Sequence, residues 1–182
     1  LPSPQRLLVF SVIAPGGALP RGNLMAIVDL LTSGLGLLAS EKDITPQWVE
    51  GVLRGSGSLE DSVTVTGVTT ERIGEGVGIL SIWQRVKPTY SAATKAPTSF
   101  VVKYPTEVEG NLAVATTFNV YEREVRFCQL LGPKAGLRLP KLYFAHTTSA
   151  SSFIMVMEDL SGYALGDQVE GCSVKQAEMS II

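Results

Sequence analysis

Between two β-branched stretches the chain carries Gly74-Glu75-Gly76-Val77-Gly78, a glycine at every second position. Lacking Cβ, such a backbone can take positive φ, approach a ligand closely and turn its amide hydrogens toward phosphate oxygens. Further on, Lys103 follows the apolar run Phe100-Val101-Val102. A lysine turned inward at such a place needs an anionic partner, because an unpaired buried ammonium is strongly disfavoured. Glu124 supplies one: it lies one turn after Tyr121, on the border between the polar and apolar sides of a helical stretch, and can swing inward. Taken singly, the glycines also suit a plain hairpin turn and the two charges a solvated face. Together, and in this order, they suit a site that cradles and neutralises phosphate.

These residues need a scaffold, and the sequence supplies its elements. Thr45 with Pro46 behind it reads as an N-cap and first helical residue, with Ile44 and Val49 as a staple and Trp48, Val52 and Leu53 as the apolar stripe. That helix is expected to end near Gly55 to Gly57. The β-branched stretch from Val63 to Ile73 reads as a strand, and a second runs from Ile79 to Tyr90, where Ile82, Gln84 and Val86 alternate against Trp83, Arg85 and Lys87. The glycines are therefore the tip of a hairpin. A third strand covers residues 100–104. Phe118, Tyr121, Val125, Cys128 and Leu131 recur at helical intervals, which predicts one amphipathic helix over 117–131, stopped by Gly132-Pro133. Strands follow over Lys141 to His146 and Ser152 to Glu158, then a glycine-rich linker from Ser161 to Gly171. Ser173 and Gln176 have the spacing of a capping box for a last helix.

Composition narrows the partners. Among 182 residues, 15 Lys and Arg face 17 Asp and Glu, so the net charge is -2 and there is no positive field to condense on nucleic acid or anionic lipid. The apolar runs Leu7 to Ala14 and Leu24 to Ala39, the second broken by Asp29, are shorter than the roughly 18–20 residues that span a bilayer. Two cysteines, Cys128 and Cys172, make neither a disulfide framework nor a paired zinc site; they suit a reducing compartment, and a cytoplasmic location is expected. One histidine, His146, excludes sites that need two from this chain. Gly34, Gly36 and Ala39 spell a GxGxxA variant, but no clean strand precedes it and no βαβ unit follows.

Four segments in order, Ile73 to Ser81, Val101-Val102-Lys103, Tyr121 to Phe127 and Met157-Glu158-Asp159-Leu160, resemble the N-terminal lobe of the aminoglycoside phosphotransferase and choline kinase-like group, which shares the protein kinase fold. The likeness covers residues 43–172. It implies that Gly74, Gly76 and Gly78 cover the phosphates of ATP, that Lys103, on a strand with Val101, holds them, and that Glu124 orients Lys103. It also implies that Met157, Glu158, Asp159 and Leu160 form a hinge whose backbone meets adenine.

The expected fold class is α+β, a five-stranded antiparallel sheet with one principal helix. Its organisation is an apolar extension over 1–41, a nucleotide-binding lobe over 42–160, and a linker with the start of a further helix over 161–182. The group's catalytic loop, His-Gly-Asp followed by Asn, has no counterpart: His146 precedes Thr147-Thr148, Asn119 is the last asparagine, and only Asp159 and Asp167 follow Asp61. His146 therefore reads as structural, and ligands for Mg are expected outside this chain. The expected function is an ATP-dependent phosphotransferase acting on a small hydroxylated molecule, present here as its nucleotide-binding lobe, with the acceptor bound by a second lobe. The alternative is a non-catalytic nucleotide-binding or interaction module.

Overall fold

The computed structural model describes residues 37, 38, 40–75, 78–136, 138–164, 166 and 169–179. Gly34, Gly36 and Ala39, both N-terminal apolar runs up to residue 36, Gly76 and Asp167 lie outside the described residues.

A short 3-10 turn, Glu41–Asp43, leads into helix α1, Pro46–Gly55. The Thr45 hydroxyl accepts the Trp48 amide at 3.2 Å, Pro46 occupies the first turn, and Gly57 leaves the helix at φ 69°. Start and stop thus use the residues the sequence marks for them. Five strands follow: β1 (Val65–Ile73), β2 (Ser81–Tyr90), β3 (Phe100–Pro105), β4 (Leu142–Ser149) and β5 (Ser152–Glu158). They form one antiparallel sheet in the order β1-β2-β3-β5-β4.

The sheet is covered on both faces, which explains why all of Phe100 to Tyr104 is buried rather than alternating. On one face Trp48, Val49, Val52 and Leu53 of α1 pack with Ile82, Val86, Phe100, Val102, Ile154 and Val156. Leu38 is buried in the same cluster, and Glu41 accepts a hydrogen bond from the buried Gln84 amide at 2.9 Å. Glu50 ties α1 to the sheet, accepting from the Val65 amide at 2.8 Å and from Arg54. On the other face Val101, Ala145, Phe153, Met155 and Met157 meet Ala115, Tyr121 and Val125.

That second cover departs from the single helix expected over 117–131. Two helices stand between β3 and β4: α2, Glu109–Thr117, and α3, Val120–Arg126. A π turn, Phe127–Leu131, and a 3-10 turn, Gly132–Lys134, complete the segment. Asn119 causes the break by adopting the left-handed conformation at φ 50°, which a helix interior does not accept. The break turns Phe118 outward, 64% exposed, although it belongs to the apolar series in the sequence. Helix α2 escapes sequence reading because it buries only Ala115 and carries the weak helix formers Gly110, Asn111, Val114, Thr116 and Thr117; the Thr116 and Thr117 hydroxyls bond back to Leu112 and Ala113 carbonyls at 2.8 Å. Strand β4 also runs past His146 to Ser149, so His146 sits within the strand and not at its end. The last helix, α4 (Val174–Met179), starts where its capping pair stands, with the Ser173 amide donating to Gln176 at 2.8 Å.

Candidate functional site

Strand alternation sends Val101 and Lys103 to the face that carries α2 and α3. Lys103 therefore enters a covered layer, and its side chain is only 10% exposed. Helix α3 meets it there. Tyr121 and Val125 are the buried anchors of that helix, Tyr121 stacking on Phe153 with centroids 4.2 Å apart and donating its hydroxyl to the Leu80 carbonyl. With those two fixed, Glu124 is brought to the sheet, and its Oε1 accepts from Lys103 Nζ at 2.5 Å. The other carboxylate of the helix is taken differently: Glu122 accepts from the Asn119 side chain and pairs with Arg126.

A third group completes the pair. Trp83 stands opposite Lys103 in the β2–β3 register, and Lys103 Nζ lies 4.6 Å from its ring centroid. Phe153 offers a second ring at 6.0 Å. The ammonium is thus neutralised by one carboxylate and faced by aromatic quadrupoles. Cys128, half-buried in the π turn, belongs to the same neighbourhood: burial and then the Glu124 carboxylate push its thiol up, with Lys103 opposing.

The hairpin tip adjoins this cluster. Gly74 takes φ 70°, and the Gly78 amide donates to the Gly74 carbonyl at 3.2 Å. A Cβ on Gly78 would fall 3.2 Å from Trp83 Nε1 and 3.5 Å from Cδ1, so a side chain there would crowd the indole by a few tenths of an ångström. Arg72, Gly74, Glu75, Gly78, Ser81 and Trp83 line a hollow of about 240 Å³ at the tip. A larger hollow of about 390 Å³, between Ser58, Lys95, Lys141 and Tyr143, touches none of these residues.

The remaining site residues divide. Val101 and Met157 are register partners on neighbouring strands and share the Lys103 face. The carboxylates of Glu158 and Asp159 are turned to structural work. Glu158 accepts from Arg138 at 2.7 Å and from the Lys141 amide at 2.9 Å, and these hold it below the usual carboxylate range. Asp159 accepts from Arg85 at 2.9 Å, Ser99 at 2.8 Å and the Ser161 amide at 3.0 Å. Burial acts to raise its pKa, but those donors outweigh it and hold the group below its ordinary value. The Leu160 carbonyl accepts the Tyr163 amide at 2.9 Å, closing a turn directly after β5.

His146 packs against Phe144, centroids 6.4 Å apart, and burial pushes its pKa down. Among the described residues no group of three or more His, Cys, Asp or Glu is placed to hold a metal ion, and no helix is long and apolar enough to cross a membrane. The sequence pairs Lys103 with Glu124 but does not single out Trp83, which it sets with Arg85 and Lys87 against Ile82, Gln84 and Val86. The available signal is its position opposite Lys103 once β2 and β3 are registered. No family model matches the chain, and a search of the curated proteins finds no match.

Proposed function

We propose that the chain is the nucleotide-binding lobe of an ATP-dependent phosphotransferase of the aminoglycoside phosphotransferase-like group, which acts on a small hydroxylated molecule in the cytoplasm. The observation that carries this reading is the covered Lys103–Glu124 pair at 2.5 Å beside a glycine hairpin tip. A solvated lysine has no need of a carboxylate and two aromatic rings. A lysine that must present its charge to a polyphosphate benefits from being held in place beforehand, because the ordering cost is then met before the ligand arrives.

In this reading the glycine tip around Gly74 and Gly78 covers the phosphates, Lys103 neutralises them, and Glu124 fixes Lys103. The fit to a phosphate group rests on Gly74 at φ 70° and on Gly78, whose missing Cβ leaves room beside the indole. Val101 and Met157 form the apolar wall for the base, and the backbone from Met157 to Leu160 is the edge that adenine meets. The Glu158 and Asp159 side chains keep that edge in place through Arg138 and Arg85. Mg would supply charge neutralisation between phosphates, with ligands from outside this chain. The acceptor hydroxyl is met by a second lobe.

The test is calorimetric titration with a non-hydrolysable ATP analogue, with and without Mg. Saturable binding that weakens at least about tenfold in Lys103→Ala is the expected result. No heat at millimolar nucleotide would overturn the reading.

A further inference from the structure

We propose that Trp83 is a phosphate-binding side chain: its ring face seats the Lys103 ammonium, and its Nε1–H donates to a phosphate oxygen of a ligand in the hollow bordered by Arg72, Gly74 and Gly78. The inference rests on the nucleotide reading above and deepens it.

Three observations meet at this residue. Its ring faces Lys103 Nζ at 4.6 Å, so the indole and the ammonium are one unit. Its edge faces the tip, with Nε1 the nearest atom to the position a Gly78 Cβ would take. Finally, Trp83 lines the 240 Å³ hollow, and its Nε1–H donates to no acceptor among the described residues. An indole N–H is a donor only, and this one, on a half-buried ring, opens onto the hollow. The space it borders also holds Arg72, whose Nε lies 3.6 Å from the Glu75 carboxylate in the same hollow, and the Gly78 amide is taken by the Gly74 carbonyl, so the donors left for an acceptor-rich anion such as a phosphate ester are the indole N–H and the outer guanidinium nitrogens. Trp48 makes the contrast plain. Its Nε1 is also unpartnered, but that ring is 0% exposed in the α1 core and lines neither of the two hollows described above.

The chain has two tryptophans, so Trp48→Phe leaves Trp83 as the sole indole fluorophore. That variant is titrated with adenosine, ADP and inorganic tripolyphosphate, following both emission and heat. ADP and tripolyphosphate are expected to change Trp83 emission, and adenosine is not. In the otherwise native chain, Trp83→Phe keeps a ring face but loses the donor. It is expected to weaken ADP binding about tenfold, the loss of one charge-assisted hydrogen bond, and adenosine binding by less than about twofold. Equal losses for ADP and adenosine, or ADP heat without an emission change, would make Trp83 a structural spacer and overturn the proposal while leaving nucleotide binding intact. Absence of heat from ADP and tripolyphosphate alike overturns the nucleotide reading and this inference with it. If Trp48→Phe does not fold, the Trp83→Phe comparison decides alone.

Discussion

Replacing each partner of the Lys103–Glu124 pair should have unequal effects on stability, because the two groups differ in their access to water. The Lys103 side chain is 10% exposed and that of Glu124 is 32% exposed. Breaking a fully buried pair costs about 3–5 kcal/mol and breaking an exposed one about 0–1 kcal/mol. Glu124→Gln strands an ammonium that solvent barely reaches, leaving it the Trp83 ring and a neutral amide oxygen. That case lies between the limits, at about 1–3 kcal/mol. Lys103→Met instead leaves a carboxylate that already meets water over a third of its surface, while the Met side chain keeps contact with Trp83 and Phe153. Its cost should be about 0–1 kcal/mol. The double variant Lys103→Met with Glu124→Leu should be at least as stable as the native chain, since apolar replacement of a buried pair is often neutral or better. Urea unfolding followed by circular dichroism measures all three, provided the m-values agree. A Lys103→Met loss equal to or above that of Glu124→Gln would refute the burial argument. The asymmetry has a practical consequence, because a stable Lys103→Met that fails to bind nucleotide separates binding from folding.

Other substitutions probe the frame around the site. Asp159→Asn should cost about 1–3 kcal/mol by weakening the bonds from Arg85, Ser99 and the Ser161 amide. Because folding depresses the Asp159 pKa, its contribution is complete above the unfolded value near about 3.9 and is lost as pH falls through the folded value. Acid unfolding of Asp159→Asn should accordingly be shallower over that window, and an unchanged slope would contradict the assignment. Thr45→Ala removes the cap of α1 and should cost about 1 kcal/mol in thermal or urea unfolding. Gly74→Ala meets no atom of the described residues within 4 Å, so its φ of 70° is what opposes it there, and a loss of about 1–2 kcal/mol is expected. A loss far above that would reveal contacts at the tip in addition to backbone conformation.

Strand β2 is readable because its burial follows period two, with Ile82, Gln84 and Val86 inward, whereas β1 is readable from its β-branched residues and not from alternation. The first helix was readable because its cap, proline and glycine are local signals. The stretch between β3 and β4 was not, for a reason that is also local. Phe118, Tyr121, Val125 and Cys128 keep a helical spacing across a residue, Asn119, that leaves the helical conformation, and periodicity carries no information on φ at one position. The same distinction governs the site. A lysine inside a run whose neighbours on both sides are apolar must be buried if both faces of its sheet are covered, so a partner for Lys103 follows from the sequence. That Glu124 and not Glu122 is the partner follows from the phase of Tyr121 and Val125, which bury the side of α3 next to it. Trp83 obeys neither kind of rule. Alternation placed it with Arg85 and Lys87, and only the cross-strand register, a long-range property, sets its ring against Lys103 and its edge against Gly78. A glycine at position 78 thus has two reasons, as part of an alternating tip in the sequence and as a residue without the Cβ that would crowd this indole at 3.2 Å in three dimensions.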